Sequence, residues 1–136
     1  MAKVSRAGQA AAVSVAKNAL IAWEGDTHEV ICGWPAKIRG DFGQALREMQ
    51  HGRPATLDVR PMPSIAKGVF ELKTDDERAW YRLVYLARID GVIYVLDCFE
   101  KETRKTEKKD IKTATARLKN VQRRLLERRR DEKRES

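Results

Sequence analysis

Charged side chains interrupt the β-like segments of this sequence at positions where they could act on a polyanion. Glu71 and Lys73 lie in one such segment. Arg82 and Arg88 lie in the next, and Lys101 ends a third. Fixed guanidinium and ammonium groups can bind phosphate and stabilise the charge that grows on its oxygens during phosphoryl transfer. Because RNA supplies its own nucleophile, the 2′-hydroxyl, this chemistry needs no metal, and a nearby lysine or carboxylate can move the protons.

Further candidates for RNA binding lie beside these groups. Aromatic rings can stack on unpaired bases, which makes Phe99 and Tyr85 candidate base platforms. Asp97 belongs to the same strand as Phe99, and a basic run follows it with Arg104, Lys105, Lys108 and Lys109. These lysines could contact RNA or simply solvate the start of a helix. Phe99 and Tyr85 are also ordinary core residues, and Trp80 is the weakest aromatic candidate because it begins a strand.

Each charged candidate also has a purely structural interpretation. Arg82 can pair with Glu71 across a hairpin as an ion pair on a half-exposed face. Lys101 can be a solvated lysine at a strand end. Lys73 and Arg88 can be charges that keep strand ends soluble.

Three strands must position these side chains. They cover roughly residues 70–73, 81–88 and 92–99, and Asp90-Gly91 predicts a tight hairpin turn between the last two. Alternation along the middle strand places Arg82 and Arg88 on one face and Tyr81 and Tyr85 on the other. We therefore expect one face to be covered by helices and the other to be an open, charged surface. The register of the third strand stays undecided.

The remaining segments predict an α+β fold: a small, antiparallel-rich sheet, two short N-terminal helices on one face and a C-terminal basic helix. Residues 19–23 indicate a strand, and a short helix begins at Asp26 or Thr27. A second helix follows Pro35. Three prolines make residues 53–68 an extended loop. The last helix begins near Thr106, and its apolar stripe packs on the protein itself or on a partner helix; the stripe consists of Ile111, Ala114, Leu118, Val121 and Leu125.

The length and composition of the chain limit the number of domains and the classes of binding partner. The 136 residues predict one domain at 19–126, with a flexible extension at 1–18 and a solvated, frayed basic tail at 127–136. Of the net charge of +8, residues 1–99 carry +1 and residues 100–136 carry +7. This segment favours a polyanionic partner, nucleic acid first and an acidic protein second, and the alternative is a solvated helix face.

Other classes of protein are disfavoured. The sequence has no apolar run of membrane-spanning length. Cys32 and Cys98 are expected to be reduced core residues of a cytosolic protein. His28 and His51 have no metal-ligand spacing, which disfavours a metalloenzyme, and no cofactor is expected.

Several short motifs, taken in order, resemble the HigB-type toxins of the RelE-like superfamily, in its phage-derived branch. They are Trp23-Glu24-Gly25-Asp26, Gly68-Val69-Phe70-Glu71-Leu72, Tyr81-Arg82-Leu83-Val84-Tyr85 and Tyr94-Val95-Leu96-Asp97-Cys98-Phe99-Glu100-Lys101. The resemblance covers about residues 19–120. It implies a compact α+β toxin of a type II toxin–antitoxin module that cleaves mRNA, usually on the ribosome. It also implies a cognate antitoxin, often with a helix-turn-helix domain.

The resemblance assigns the family's strand arginine to Arg82, its post-strand lysine to Lys101 and its hairpin glutamate to Glu71. This sequence departs from the family at Asp97, where histidine is frequent, and at Glu102, where a second lysine is frequent. Both departures remove a positive charge or a proton carrier. The resemblance makes an endoribonuclease toxin the first hypothesis. Because of the two departures, the second hypothesis is a non-catalytic RNA- or protein-binding module of the same fold. A phage structural or accessory protein is a third, weaker hypothesis.

Overall fold

The computed structural model describes residues 18–102 and 108–135. The described residues form five strands and three helices, and the sheet order is β1-β5-β4-β3-β2. β1 runs parallel to β5, and the other neighbours are antiparallel. In chain order the elements are β1 (Leu20–Trp23), α1 (Thr27–Cys32), α2 (Ala36–Gln50), β2 (Asp58–Pro61), β3 (Val69–Asp75), β4 (Trp80–Ile89), β5 (Val92–Lys101) and α3 (Lys108–Glu135). The predicted α+β fold is confirmed.

The hairpin between β4 and β5 fixes the register that the sequence left open. Asp90 and Gly91 have φ values of 51° and 78°, the left-handed conformation that a two-residue hairpin turn requires. Arg82 lies opposite Phe99, and a β-bulge follows Val84, which lies opposite Asp97. Asp97 and Phe99 therefore share the sheet face of Arg82.

The opposite face, which we call the α1–α2 face, carries the first apolar core. The helix α2 presents one apolar stripe because its buried residues recur at helical spacing. Tyr85 lies in this core and stacks on Phe70 at 5.8 Å between ring centroids. The other members include Ile31, Trp34, Ile38, Phe42, Ala45, Leu46, Leu72, Leu83 and Cys98. Burial of two helices on one face is the arrangement that the sequence predicted.

The second face, which we call the α3 face, is also covered, by the helix α3. The stripe of α3 packs there on its own sheet, as one of the two predicted alternatives, through Ala114, Leu118, Val121 and Leu125. Its neighbours in this second core include Val84, Leu86, Tyr94, Leu96 and Phe99. The expectation of a fully open charged face is therefore wrong, because the apolar residues of that face required a cover of their own.

Three further expectations are corrected. Residues 58–61 form the edge strand β2 within the predicted loop, and Pro61 fits there because an edge strand leaves some backbone groups outside the ladder. The helix α3 continues to Glu135, so residues 127–135 are exposed, as predicted, but not frayed. Cys98 is buried, whereas Cys32 is exposed on α1. No helix in the described ranges combines the length and apolarity needed to cross a membrane.

Candidate functional site

The end of the α3 face near the β3–β4 loop carries all four predicted catalytic residues, Glu71, Lys73, Arg82 and Lys101. Lys73 lies opposite Arg82, and Arg60 on β2 lies opposite Glu71. Lys101 lies opposite Trp80. Cross-strand partners share a face and lie close together. We call this set the charged sheet end: Arg60, Glu71, Lys73, Trp80, Arg82 and Lys101.

At its centre is a buried ion pair. Arg82 Nη1 donates to Glu71 Oε1 at 2.8 Å, and both side chains are 0% exposed. Arg60 Nε lies 3.4 Å from the same oxygen, and its side chain is 51% exposed. The expectation that Arg82 and Glu71 face solvent is wrong, because neither side chain has any exposed area. The structural interpretation of this pair is the one that the geometry supports.

Lys73 and Trp80 occupy the more open part of the charged sheet end. Both side chains are partly exposed, and Lys73 Nζ lies 5.7 Å from the centroid of the Trp80 ring. This is the distance of a cation–π contact. Asp58, which is exposed, lies opposite Lys73 on β2. An amine, a carboxylate and an aromatic ring therefore meet where the sheet is accessible.

Lys101 is placed less openly than the sequence suggested. Its Nζ lies 3.0 Å from Asp110 Oδ2 at the start of α3, and the lysine side chain is only 9% exposed. The same amine lies 5.8 Å from the centroid of the Phe99 ring. The solvated strand-end lysine, which was the alternative to a catalytic role, is not what the structure shows, because this amine links the end of β5 to α3.

Asp97 is a buried acid whose pKa departs from its ordinary value. It is 6% exposed, and its Oδ2 accepts no hydrogen bond among the described residues. Burial, together with the negative charge of Asp110, raises the pKa of Asp97 to about 6. Arg117 opposes this shift, since its Nη1 lies 3.5 Å from Asp97 Oδ1. Asp97 is enclosed beneath α3, and its predicted contact with RNA stays a prediction.

Arg117 is a structural residue that the sequence analysis missed. Its guanidinium donates to the Leu96 carbonyl and to Asp26 Oδ1, both at 3.0 Å, which ties α3 to β5 and to the β1–α1 loop. Gly25 makes room for it: a Cβ there would lie 2.6 Å from Arg117 Cζ, and the φ of Gly25 is +56°. The signal in the sequence was the Glu24-Gly25-Asp26 turn. Arg124 adds a second tie to that turn through Glu24 at 2.8 Å.

Among the described residues, the predicted RNA-binding residues do not form one surface. Tyr85 is buried on the α1–α2 face and Phe99 is buried under α3, so the two rings lie on opposite faces of the sheet. Their part in RNA binding stays a prediction. Lys108 and Lys109 are exposed at the start of α3. Arg104 and Lys105 lie outside the described residues. Arg88 lies in β4, and its side chain is also outside the described part.

An open cleft of about 690 Å³ lies at the same end of the sheet. Trp34, Tyr81 and Arg78 line it together with Glu100 and Glu102. Its charges are mixed, so it suits a polyanion less well than Arg60 and Lys73 do. In the described ranges, no three His, Cys, Asp or Glu side chains cluster as a metal site would require.

Comparison with known proteins gives one family. The family model described as Phage derived protein Gp49-like (DUF891) matches residues 29–119, about two thirds of the chain. The match spans most of α1, all of α2, the strands from β2 to β5 and the beginning of α3. No curated protein matches the chain, and no solved structure does.

Proposed function

Since the chain belongs to the Gp49-like family of phage-derived proteins, a RelE/HigB-like toxin family, we propose that it is the toxin of a type II toxin–antitoxin module. In this proposal it is a HigB-type endoribonuclease of the cytoplasm that cleaves mRNA on the ribosome without a metal. A cognate antitoxin, of helix-turn-helix type, holds it inactive. The order of its short sequence motifs supports the HigB assignment.

The observation that carries the proposal is the grouping of Arg60 and Lys73 on the accessible end of a rigid sheet. Arg60 is half exposed, and Lys73 is partly exposed. The oxygen of Glu71 that contacts Arg60 is itself held by Arg82, so the buried pair fixes the direction of the exposed guanidinium. A preoriented cation stabilises a charged transition state better than a mobile one, because it needs no reorganisation.

The proposed reaction uses the substrate's own hydroxyl. The 2′-oxygen attacks the adjacent phosphorus, the bond to the 5′-oxygen breaks, and Arg60 and Lys73 bind the phosphate oxygens that gain charge. Glu71, Asp97 and Asp110 are buried, so they cannot touch the substrate in this conformation. Proton transfer therefore falls to the two groups that are at least partly exposed: the carboxylate of Asp58 takes the proton of the 2′-hydroxyl, and the ammonium of Lys73 opposite it gives a proton to the departing 5′-oxygen. Arg82 acts as a positioning residue.

A second candidate function is a non-catalytic RNA- or protein-binding module of the same fold. The burial of Arg82 and Glu71 favours it, because two residues that the resemblance places in catalysis have no exposed area. Binding needs only the exposed cations of β2, β3 and α3.

Inducible expression followed by mapping of mRNA 5′ ends separates the two candidates. The nuclease gives discrete new ends inside coding regions and arrests growth. The double variant Arg60→Ala/Lys73→Ala should lose both effects. Its matched control is Lys37→Ala/Arg39→Ala, which removes two exposed positive charges from α2 on the other side of the sheet. New ends that persist in the first variant would refute the assigned site, and their absence in the wild type would favour the binding module.

A further inference from the structure

We propose that the outer side of the helix α3 is a docking surface for duplex RNA. We call this surface the cationic helix face; it consists of Lys112, Lys119, Arg123, Arg130 and Arg134. The inference goes beyond the proposed function, because it concerns a surface other than the charged sheet end. This surface binds structured RNA whether or not the charged sheet end cleaves a strand.

The spacing of the five cations places them on one side of α3. They follow one another at intervals of 7, 4, 7 and 4 residues, and such intervals return to the same side of an α-helix. All five side chains are exposed. The apolar stripe of α3 faces the sheet, so the cationic helix face points away from it. At a rise of about 1.5 Å per residue, the row of cations is about 33 Å long.

The protein does not use these five charges to hold its own fold. Arg117 and Arg124, on the flanks of α3, form ion pairs with Asp26 and Glu24. In the part of the chain that the structure describes, no ion pair involves the cationic helix face. The buried stripe and the two flanking arginines nevertheless fix the helix on the sheet. The result is a straight row of positive charges on a fixed support.

The chemistry of this row fits the phosphates of a duplex. The helix α3 contains no aromatic residue, so it cannot offer the stacking platforms on which binding of unpaired bases depends. A duplex holds its phosphates in fixed positions, so a straight row of lysines and arginines can contact several of them at once. Duplex RNA is recognised mostly through its shape, its phosphates and its 2′-hydroxyls. RNA is the expected duplex because the charged sheet end of the same molecule suits an RNA substrate.

Two other occupants fit the cationic helix face less well. A protein interface has an apolar centre that excludes water. Near this surface, the described residues offer one large exposed apolar side chain, Leu126, which is 53% exposed. A helix that lies on a membrane needs an apolar face towards the lipid, and the apolar stripe of α3 is already buried on the sheet. Charge complementarity therefore favours nucleic acid.

Salt-dependent binding of an RNA duplex tests the surface. The probe is a fluorescein-labelled duplex of about 16 base pairs, the length that a double-stranded RNA-binding domain covers. The variant Lys119→Gln/Arg123→Gln/Arg130→Gln removes three charges and keeps good helix formers in their place. Its affinity, measured by fluorescence anisotropy, should fall by at least about tenfold at low salt. The slope of log affinity against log salt should become shallower by about 2 to 3, since each phosphate contact contributes about 0.9.

A second variant guards against a change in folding. Arg130→Gln/Arg134→Gln lies beyond the apolar stripe of α3, so it alters no packed residue. It should make the slope shallower by about 2. The matched control is Lys37→Gln/Arg39→Gln/Arg47→Gln, which removes three charges from exposed positions of α2 on the other side of the sheet. The control should keep a slope close to that of the wild type.

Three results would overturn the proposal. Equal losses in the control and in the α3 variants would show that only the net charge matters. Displacement of the RNA by polyglutamate as effectively as by unlabelled duplex, at equal total charge, would make the surface a site for acidic protein. Tighter binding of the wild type to a DNA duplex of the same sequence would exclude RNA as the intended partner. The 5′-end mapping decides separately whether the protein is a nuclease, so the two proposals fail in different assays.

Discussion

The buried carboxylate of Asp97 should make the stability of this protein depend on pH in a direction opposite to that of most carboxylates. Its pKa rises from 3.8 to about 6 on folding, chiefly because of burial and secondly because of Asp110. In the unfolded chain the group ionises at its ordinary pKa. Between these two pKa values the folded state binds more protons than the unfolded state, so the free energy of unfolding falls as the pH rises.

The magnitude follows from the size of the shift. Each unit of pKa corresponds to about 1.4 kcal/mol, so the loss between pH 3.8 and about pH 6 amounts to about 3 kcal/mol. Below this window the group is protonated in both states, and above it the cost of the buried charge is constant. Asp97→Asn removes the ionisation and keeps an oxygen that can accept from Arg117. The variant should therefore gain about 3 kcal/mol over the wild type between about pH 4 and about pH 7.

Urea unfolding of both proteins across this pH range measures the effect. The difference between the two free energies of unfolding is the quantity to follow, because it cancels the other titrating groups. Among these, Asp76 has its pKa lowered, mainly by the Arg78 backbone amide, and Glu48 by the Arg53 hydrogen bond. Glu77→Gln, which replaces an exposed loop carboxylate, is the control for the loss of one negative charge. If the difference between Asp97→Asn and the wild type does not change with pH, the burial argument is refuted.

Three other substitutions test further parts of the structure. Arg82→Ala should destabilise the fold by about 3–5 kcal/mol in urea unfolding, since it leaves the buried carboxylate of Glu71 without the Arg82 guanidinium. The double variant Arg82→Met/Glu71→Leu should recover most of this loss. An equal loss of stability in both variants would contradict the argument. Gly25→Ala should cost about 2 kcal/mol, because its Cβ displaces Arg117 and its positive φ disfavours a side chain; unchanged thermal unfolding would show that Arg117 moves freely. Lys73→Ala should lower the slope of log affinity for single-stranded RNA against log salt by about 0.7; an unchanged slope would remove Lys73 from phosphate binding.

Patterns among neighbouring residues were sufficient to predict most of the helices, strands and turns. The Asp90-Gly91 turn, the helix after Pro35 and the stripe of α3 were each predicted from neighbouring residues, because turn chemistry and helical spacing are local properties. The edge strand β2 was missed, since three prolines nearby outweighed its four residues. The end of α3 was missed because no apolar stripe marks residues 127–135, and a charged segment looks the same whether it is helical or frayed.

For the site, the sequence by itself determined which charged and aromatic residues lie on each side of β3 and β4, and that cations would gather on one of them. Alternation along a strand is a backbone property, so it needs no tertiary information. Only the tertiary structure decided which of these groups reach solvent. Exposure depends on what packs above the sheet: the long helix α3, tied down through Arg117 and Lys101, encloses Asp97 and Phe99 and leaves Lys73 and Trp80 accessible at the edge of its cover.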